Sequence, residues 1–253
     1  MISLTQIATI AALSGAVVLS AAEQEPPSRD ELATEAGPLV IHPIEHATFV
    51  MEWDGRTVAV DPVGGAELFS AFAKPDLVLI THIHGDHLSV ETVQALRGEA
   101  TAIIAPASVA EKFPEDERGA ITVLANGEAT DWKGVRIAAV PAYNTTPERL
   151  GFHPEGRDNG YVLDLAGTAV YISGDTEGHA AMRALQDVDA AFVCMNLPYT
   201  MDVAAAADAV LAFAPKLVYP YHFRGKDGPS DVGEFRRLVA AKPDIEVRVL
   251  DWY

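Results

Sequence analysis

The sequence predicts an α/β fold, a four-layer αββα sandwich in which two similar halves pack sheet to sheet with helices outside. Three observations predict it. Short apolar segments bounded by turn residues recur along the chain. Helical segments follow the strands in both halves. Each half also runs in the same order, hairpins first and then strands alternating with helices, although no sequence repeat is visible.

The elements follow in order. Residues 1–22 are apolar and rich in small residues, with Ser20 and Ala22 placed as a cleavage pair. The segment reads as a secretory signal peptide, which places the protein in the periplasm or outside the cell. No Lys or Arg precedes the apolar run, so an uncleaved membrane tether stays open as the alternative. Residues 23–38 read as a polar linker, and one domain is expected over 39–253. Two strands turn at Asp54-Gly55, a strong hairpin signal. A short helical segment is expected over 66–73. A buried strand over 76–81 (DLVLIT) is followed by a helix over 89–97. Another strand (TAIIAPA) and a helix over 107–113 come next, then strands turning at Asn126-Gly127 and Lys133-Gly134.

Residues 144–159 form a loop, long enough that a function is expected of it. A strand–turn–strand ends in Ser173-Gly174-Asp175. A helix starts at Ala180, a strand follows (AAFVCMNL), and Asp202–Ala214 reads as an alanine-rich helix. KLVYPYHF is a strand, 231–241 a helix and IEVRVLDWY a closing strand.

Composition narrows the function. The 253 residues are 49% hydrophobic, ample for a core, and mean hydropathy is slightly positive. The net charge of −18 argues against a nucleic-acid partner, which needs a basic footprint. Cys194 stands alone, so no intrachain disulfide forms. The expected partner is a small molecule, without stable membrane insertion after signal cleavage; a homo-oligomer stays open.

The chemistry concentrates in His82-Ile83-His84-Gly85-Asp86-His87. Three of the chain's eight histidines fall within six positions, directly after an apolar strand. His82 and His84 alternate and would share one side of a continued strand. Asp86 and His87 need a turn, which Gly85 can supply. Imidazole with carboxylate suits zinc, manganese or iron. Asp175 and His222 each end an apolar strand and are expected to bring two further ligands.

This pattern resembles the His-x-His-x-Asp-His signature of the metallo-beta-lactamase superfamily. Asp61-Pro62, Ser173-Gly174-Asp175-Thr176 and Tyr219-Pro220-Tyr221-His222 are similar to its other motifs, in the same order. The likeness runs from about Leu39 to His222. Finer features, Pro141-Ala142-Tyr143-Asn144, Phe152-His153-Pro154, Gly160-Tyr161 and Tyr199-Thr200-Met201-Asp202, resemble a compact lactonase-like branch of metal-dependent hydrolases. The resemblance implies two divalent ions, zinc first with manganese or iron as alternatives. Its ligand set would be His82, His84, Asp86, His87, His153, Asp175 and His222, with Asp175 as the bridge. Many relatives have a histidine where Asn144 stands. His153 is therefore read as a ligand, with a substrate-facing or structural role left open. Asp61 would orient the histidine loop by hydrogen bonds.

The implied reaction is hydrolysis by a metal-activated hydroxide of an ester, lactone, amide or phosphodiester bond in a small or anionic substrate. Asp86 would orient the water and take its proton. His46 and His179 are assigned supporting roles at the rim or behind the ligands. Tyr199, Thr200, Asn196 and Tyr221 are candidates to line the cleft. Arg149 and Arg157 read as solvated loop charges or anion holders, and Arg224 and Lys226 as a basic rim. The alternative is a metal-binding protein of the same fold with an altered centre and little or no activity.

Overall fold

A computed structural model describes residues 28–253. The leader expected over 1–22 and the start of the expected linker lie outside the described residues. The first half forms a seven-stranded sheet in sequence order. Its strands are β1 (Asp30–Thr34), β2 (Gly37–Glu45), β3 (Thr48–Trp53), β4 (Arg56–Val60), β5 (Leu77–Leu79), β6 (Ala102–Ala105) and β7 (Ile121–Val123). The second half supplies β8 (Ala129–Trp132), β9 (Val135–Ala142), β10 (Asp158–Leu165), β11 (Thr168–Ile172), β12 (Ala190–Cys194) and β13 (Leu217–Tyr221). Then come a small ribbon, β14 (Arg224–Gly225) with β15 (Gly228–Pro229), and a short β16 (Glu246–Val247). The second sheet has the order β16-β13-β12-β11-β10-β9-β8.

Both sheets obey one rule. β1 to β4 pair antiparallel and β4 to β7 parallel. β8 to β11 pair antiparallel, and β11, β12, β13 and β16 parallel. The two similar halves expected from the sequence are therefore present as topology. Hairpin chemistry sets the antiparallel part: Asp54 and Gly55 both take positive φ, as do Lys133 and Gly134.

Strand alternation sets the layers. Val58, Val60, Leu77 and Leu79 face the core between the sheets, with Phe49, Tyr161, Phe192 and Tyr221. Ala59, Val78 and Ile80 face outward, against Val93 of α1 (Val90–Leu96) and Val109 of α2 (Ala107–Ala110). α3 (Glu115–Arg118) follows on this side, and the sequence reading did not anticipate it. α4 (Ala180–Arg183), α5 (Val203–Phe213) and α6 (Val232–Val239) belong to the second half, where Met182, Val210, Phe213 and Phe235 are buried. Caps place their starts: Ser89, Asp202 and Asp231 each accept a backbone N–H of the first turn. Among the described residues, no helix is long and apolar enough to cross a membrane.

Two expectations change. The expected linker over 23–38 is not a linker in its second part, because Asp30–Thr34 pairs with β2 as an edge strand. Leu32 packs on the core, the Trp53 indole donates to Thr34 Oγ1, and Arg248 pairs with Asp30 at 2.9 Å. The expected closing strand shortens to β16, since Leu250 and Trp252 leave the ladder and bury their side chains.

Candidate metal centre

The parallel strands of each half end at the same edge, and loops beyond those carboxyl ends carry the polar residues. After β4 comes Asp61, whose N–H bonds to Leu79 O at 2.9 Å. The run 82–87 follows β5. Asp175 follows β11, Asn196 follows β12 and His222 follows β13. Gly174 lets the halves meet here: its φ is +60°, and a Cβ would stand 3.1 Å from Thr81 Cβ and 3.0 Å from Asn159 O. Gly85 does not need to be glycine, because it lies outside the left-handed region with open space around it. The turn is closed instead by the N–H groups of His87 and Leu88, both bonding to His84 O.

These loops bring six of the seven expected ligands into two groups of three. One is His82, His84 and His153; the other side holds Asp86, His87 and His222 in overlapping groups with Asp175 and His46. Asp175 stands between them. Its Oδ2 lies 3.3 Å from His153 Nε2, while its Oδ1 lies 3.2 Å from His222 Nε2 and 3.5 Å from His87 Nε2. Asp86 Oδ2 is 3.5 Å from His222 Nε2 and also from His46 Nε2. Buried polar atoms normally have partners. Here His87 Nε2, His153 Nε2 and Asp175 Oδ1 are buried without a hydrogen bond, all on this centre. A donor set of imidazoles and carboxylates with unpaired buried atoms fits divalent cations.

The outer partners fix the rings. Asp61 accepts from Thr81 N and Thr81 Oγ1, and His87 Nδ1 donates to Asp61 Oδ2 at 2.7 Å. His153 Nδ1 donates to Asp158 Oδ2 at 3.1 Å. In both rings Nε2 is thereby left to face the centre. Asp61, His46 and His222 hold positive φ of 44°, 58° and 45°. Such strain in non-glycine residues costs about 1–3 kcal/mol each and clusters at functional sites.

The imidazoles of the centre split by their surroundings. Burial holds His82 well below the usual imidazole range, and His87 pushes it further. Burial also lowers His84, with His153 adding to the effect. For His222, burial acts downward, but Asp175 and Asp86 outweigh it and raise the pKa to about 9. For His153, burial again acts downward, and Asp158 with Asp175 raises it to about 9. Burial would raise Asp86, yet hydrogen bonds with His222 and His46 hold it well below the carboxylate range.

The long loop answers the question posed by Asn144. That side chain donates from Nδ2 to Arg149 O and Tyr199 O, its Oδ1 is buried without a partner, and its N–H bonds to His153 O. Asn144 therefore shapes the loop that delivers His153. Glu177, which the sequence reading missed, pins the same loop. It accepts from Thr145 N, Thr145 Oγ1 and Thr146 N, and pairs with Arg149 at 2.8 Å. Burial acts upward on this carboxyl, but these bonds hold it down at about 2. Arg157 is bound by Asp158 and Phe152 O. Neither arginine is a solvated charge or a free anion holder.

Of the three expected catalytic residues, Asp86 and His46 reach the centre and His179 does not. His179 caps α4 through Nδ1, donates from Nε2 to Pro141 O at 2.9 Å and stacks on Tyr143. Its spacing from Asp175 would share a helical face, but α4 starts only at Ala180. Tyr221 is likewise a core residue, packed with Phe49 and Trp252. Asn196 lies at the centre, with Nδ2 3.2 Å from Asp175 Oδ2, and Thr200 Oγ1 donates to its Oδ1. Tyr253 was also missed. Its hydroxyl is 3.0 Å from His46 Nδ1 and accepts from Arg224 N. A cleft of about 460 Å³ opens over the centre, lined by His46, Asp86, Phe152, Tyr199, Arg224 and Lys226 among others.

Comparison with known proteins agrees with this geometry. The family model described as "Beta-lactamase superfamily domain" matches residues 40–222. A UPF0173 metal-dependent hydrolase from Thermococcus onnurineus is 31% identical over 210 residues, covering 79% of this chain and 92% of the relative. A solved structure of a candidate metal-dependent hydrolase from Parabacteroides distasonis superposes with a TM-score of 0.80 at 40% identity, covering 89% of this chain and 99% of the other. Igni18, a metallo hydrolase from Ignicoccus hospitalis, shares the fold with a TM-score of 0.70 at 24% identity over 85% and 95% of the two chains.

Proposed function

The chain belongs to the beta-lactamase superfamily, and from that premise we propose that it is a metal-dependent hydrolase with a two-ion centre. The substrate is a small molecule carrying an ester, lactone, amide or phosphodiester bond. The observation that carries this reading is Asp175, whose two carboxylate oxygens face two separate sets of donors. His82, His84 and His153 would hold one ion, Asp86, His87 and His222 the other, and Asp175 would touch both. Two divalent ions, zinc first and manganese or iron as alternatives, would supply an acidified water and polarise the scissile group.

The chain's own residues divide the remaining work. Asp86 lines the cleft as a part-exposed carboxylate that His222 and His46 hold ionised, which suits it to orient a water at Oδ2 by accepting its hydrogen bond. His46 stands 3.5 Å from that oxygen, oriented by the Tyr253 hydroxyl. Asn196 Nδ2 holds Asp175 Oδ2 in place. Phe152 and Tyr199 wall the cleft on the loop side, edge to face at 5.2 Å. The altered-centre alternative rested on Asn144, and the approach of His153 Nε2 to Asp175 Oδ2 favours His153 in that place. We further propose the compact lactonase-like branch, which rests on the resemblance of Phe152-His153-Pro154 and Tyr199-Thr200-Met201-Asp202 to its motifs.

The test is to load the protein with zinc, count bound equivalents by elemental analysis, and assay one ester, one lactone, one amide and one phosphodiester. Two equivalents with turnover of at least one bond class is the expected result. Fewer than two equivalents, or none of the four cleaved, would sink the reading. His84→Ala and Asp175→Ala are expected to abolish turnover and lower metal content.

A further inference from the structure

The cleft carries two cations whose role the hydrolytic centre does not explain. Arg224 and Lys226 both line it, flanking Gly225 on the short ribbon. Neither makes an ion pair among the described residues, whereas the two arginines of the facing loop are neutralised by Glu177 and Asp158. This occurs in a chain with 36 acidic residues against 18 basic ones. With acidic side chains in such excess, two cations on one rim without an ion pair among the described residues stand out.

The rim is also held in place. A Cβ on Gly225 would stand 1.9 Å from Leu197 O, so the ribbon sits directly against the loop that carries Asn196. Lys226 N bonds to Leu197 O at 3.0 Å, and Arg224 N bonds to the Tyr253 hydroxyl at 3.1 Å. The Arg224 guanidinium lies 4.1 Å from the Tyr253 ring centroid. Stacking on that face fixes the head group while its N–H donors stay available. The lining also has an apolar part, where Phe152 is exposed and meets Tyr199 edge to face.

We propose that Arg224 and Lys226 form an oxyanion-recognition subsite, so that the substrate carries a carboxylate or phosphate group on that side and an apolar or ring portion against Phe152 and Tyr199. This rests on the hydrolase reading for the reaction, but the binding claim stands apart from turnover. The guanidinium supplies a planar fork for an oxyanion and the ammonium a second charge. Asp86 and the buried Asp175 line the same cleft, so the subsite sets which end of the substrate meets the centre.

The experiment measures equilibrium binding of three inert probes to the zinc-loaded protein by calorimetry: phenylacetate, phenylphosphonate and neutral phenylacetamide. The same titrations are run on Arg224→Gln/Lys226→Gln, with zinc content checked in both. The double variant is expected to bind at least one of the two anions about tenfold or more weakly, in line with losing charge-assisted hydrogen bonds. Phenylacetamide affinity and zinc content stay unchanged. The anion with the larger loss tells carboxylate from phosphate. Added salt weakens the wild-type advantage. If both anions bind the variant as well as the wild type, or do not bind the wild type better than the neutral probe does, the proposal is overturned. Absence of turnover on every bond class, with the anion losses intact, would remove the hydrolase reading and leave the subsite standing.

Discussion

His153 Nε2 lies 3.3 Å from Asp175 Oδ2, although the two side chains come from a long loop and a strand end 22 positions apart in sequence. The contact puts His153 where Asn144 had made the ligand set look incomplete. It predicts that His153→Ala binds one metal equivalent fewer, or binds the second so weakly that dialysis removes it. Asn144→Ala should keep both equivalents and lose order in the loop instead. Elemental analysis after dialysis, run on both variants, separates the two. Equal metal content in His153→Ala and wild type would take His153 out of the ligand set.

Asp61 holds the Nδ1 side of the His87 ring, whose Nε2 faces the centre. It fixes His87 through Nδ1 and the start of the loop through Thr81. Asp61→Asn should therefore lower metal affinity or activity about 10- to 100-fold, the range for such supporting groups. Competition with a chelating dye measures it. An unchanged affinity would mean that His87 keeps its orientation without the carboxylate.

The legible and illegible parts of this protein separate by interaction range. His82, Asp61, Asp175 and His222 were readable because each closely follows an apolar strand and parallel strands of one sheet end together, and His84 and His87 because they cluster with His82 within six positions. The hairpins at Asp54-Gly55 and Lys133-Gly134 were readable because positive φ at two successive positions demands that chemistry. Glu177 and Tyr253 were not readable. Their partners, Thr145, Arg149, His46 and Arg224, lie far away in sequence, and only the closed sandwich brings them together. His179 misled for the opposite reason. Its four-residue spacing from Asp175 implied a shared helical face, but His179 is the N-cap of α4, so the helix begins only after it. The polar composition of β1 hid a strand whose partners, Trp53, Tyr219 and Arg248, are distant in the same chain.

Glu177 should matter to the loop more than to the ions. Its carboxylate gathers three donors from Thr145 and Thr146 and one from Arg149. Glu177→Gln keeps the size but loses the charge and part of the acceptor capacity. The expected cost is about 1–3 kcal/mol, typical of buried bonds to a charged group. Amide exchange over residues 144–153 should quicken beyond the rest of the chain, and mass spectrometry of exchanged peptides would show it. Uniform exchange across the molecule would mean that Glu177 contributes global stability without anchoring the loop.

Asp30 gives a pH dependence far from the metal centre. Burial acts to raise its pKa, but the Tyr219 hydroxyl and the Arg248 guanidinium outweigh this and hold it below the usual 3.8. A carboxyl depressed in the folded state contributes stability that is fully present above its unfolded pKa and is lost as pH falls through the lower folded value. Asp30→Asn should therefore cost on the order of 1 kcal/mol at neutral pH, the range for a partly exposed pair. The gap between variant and wild type should hold down to about 3.8 and close below it. Urea melts at pH 7 and at successively lower pH give the curve. A gap that persists unchanged in acid would assign the effect to packing of β1, since protonation removes the charge of Asp30 and leaves its volume in place.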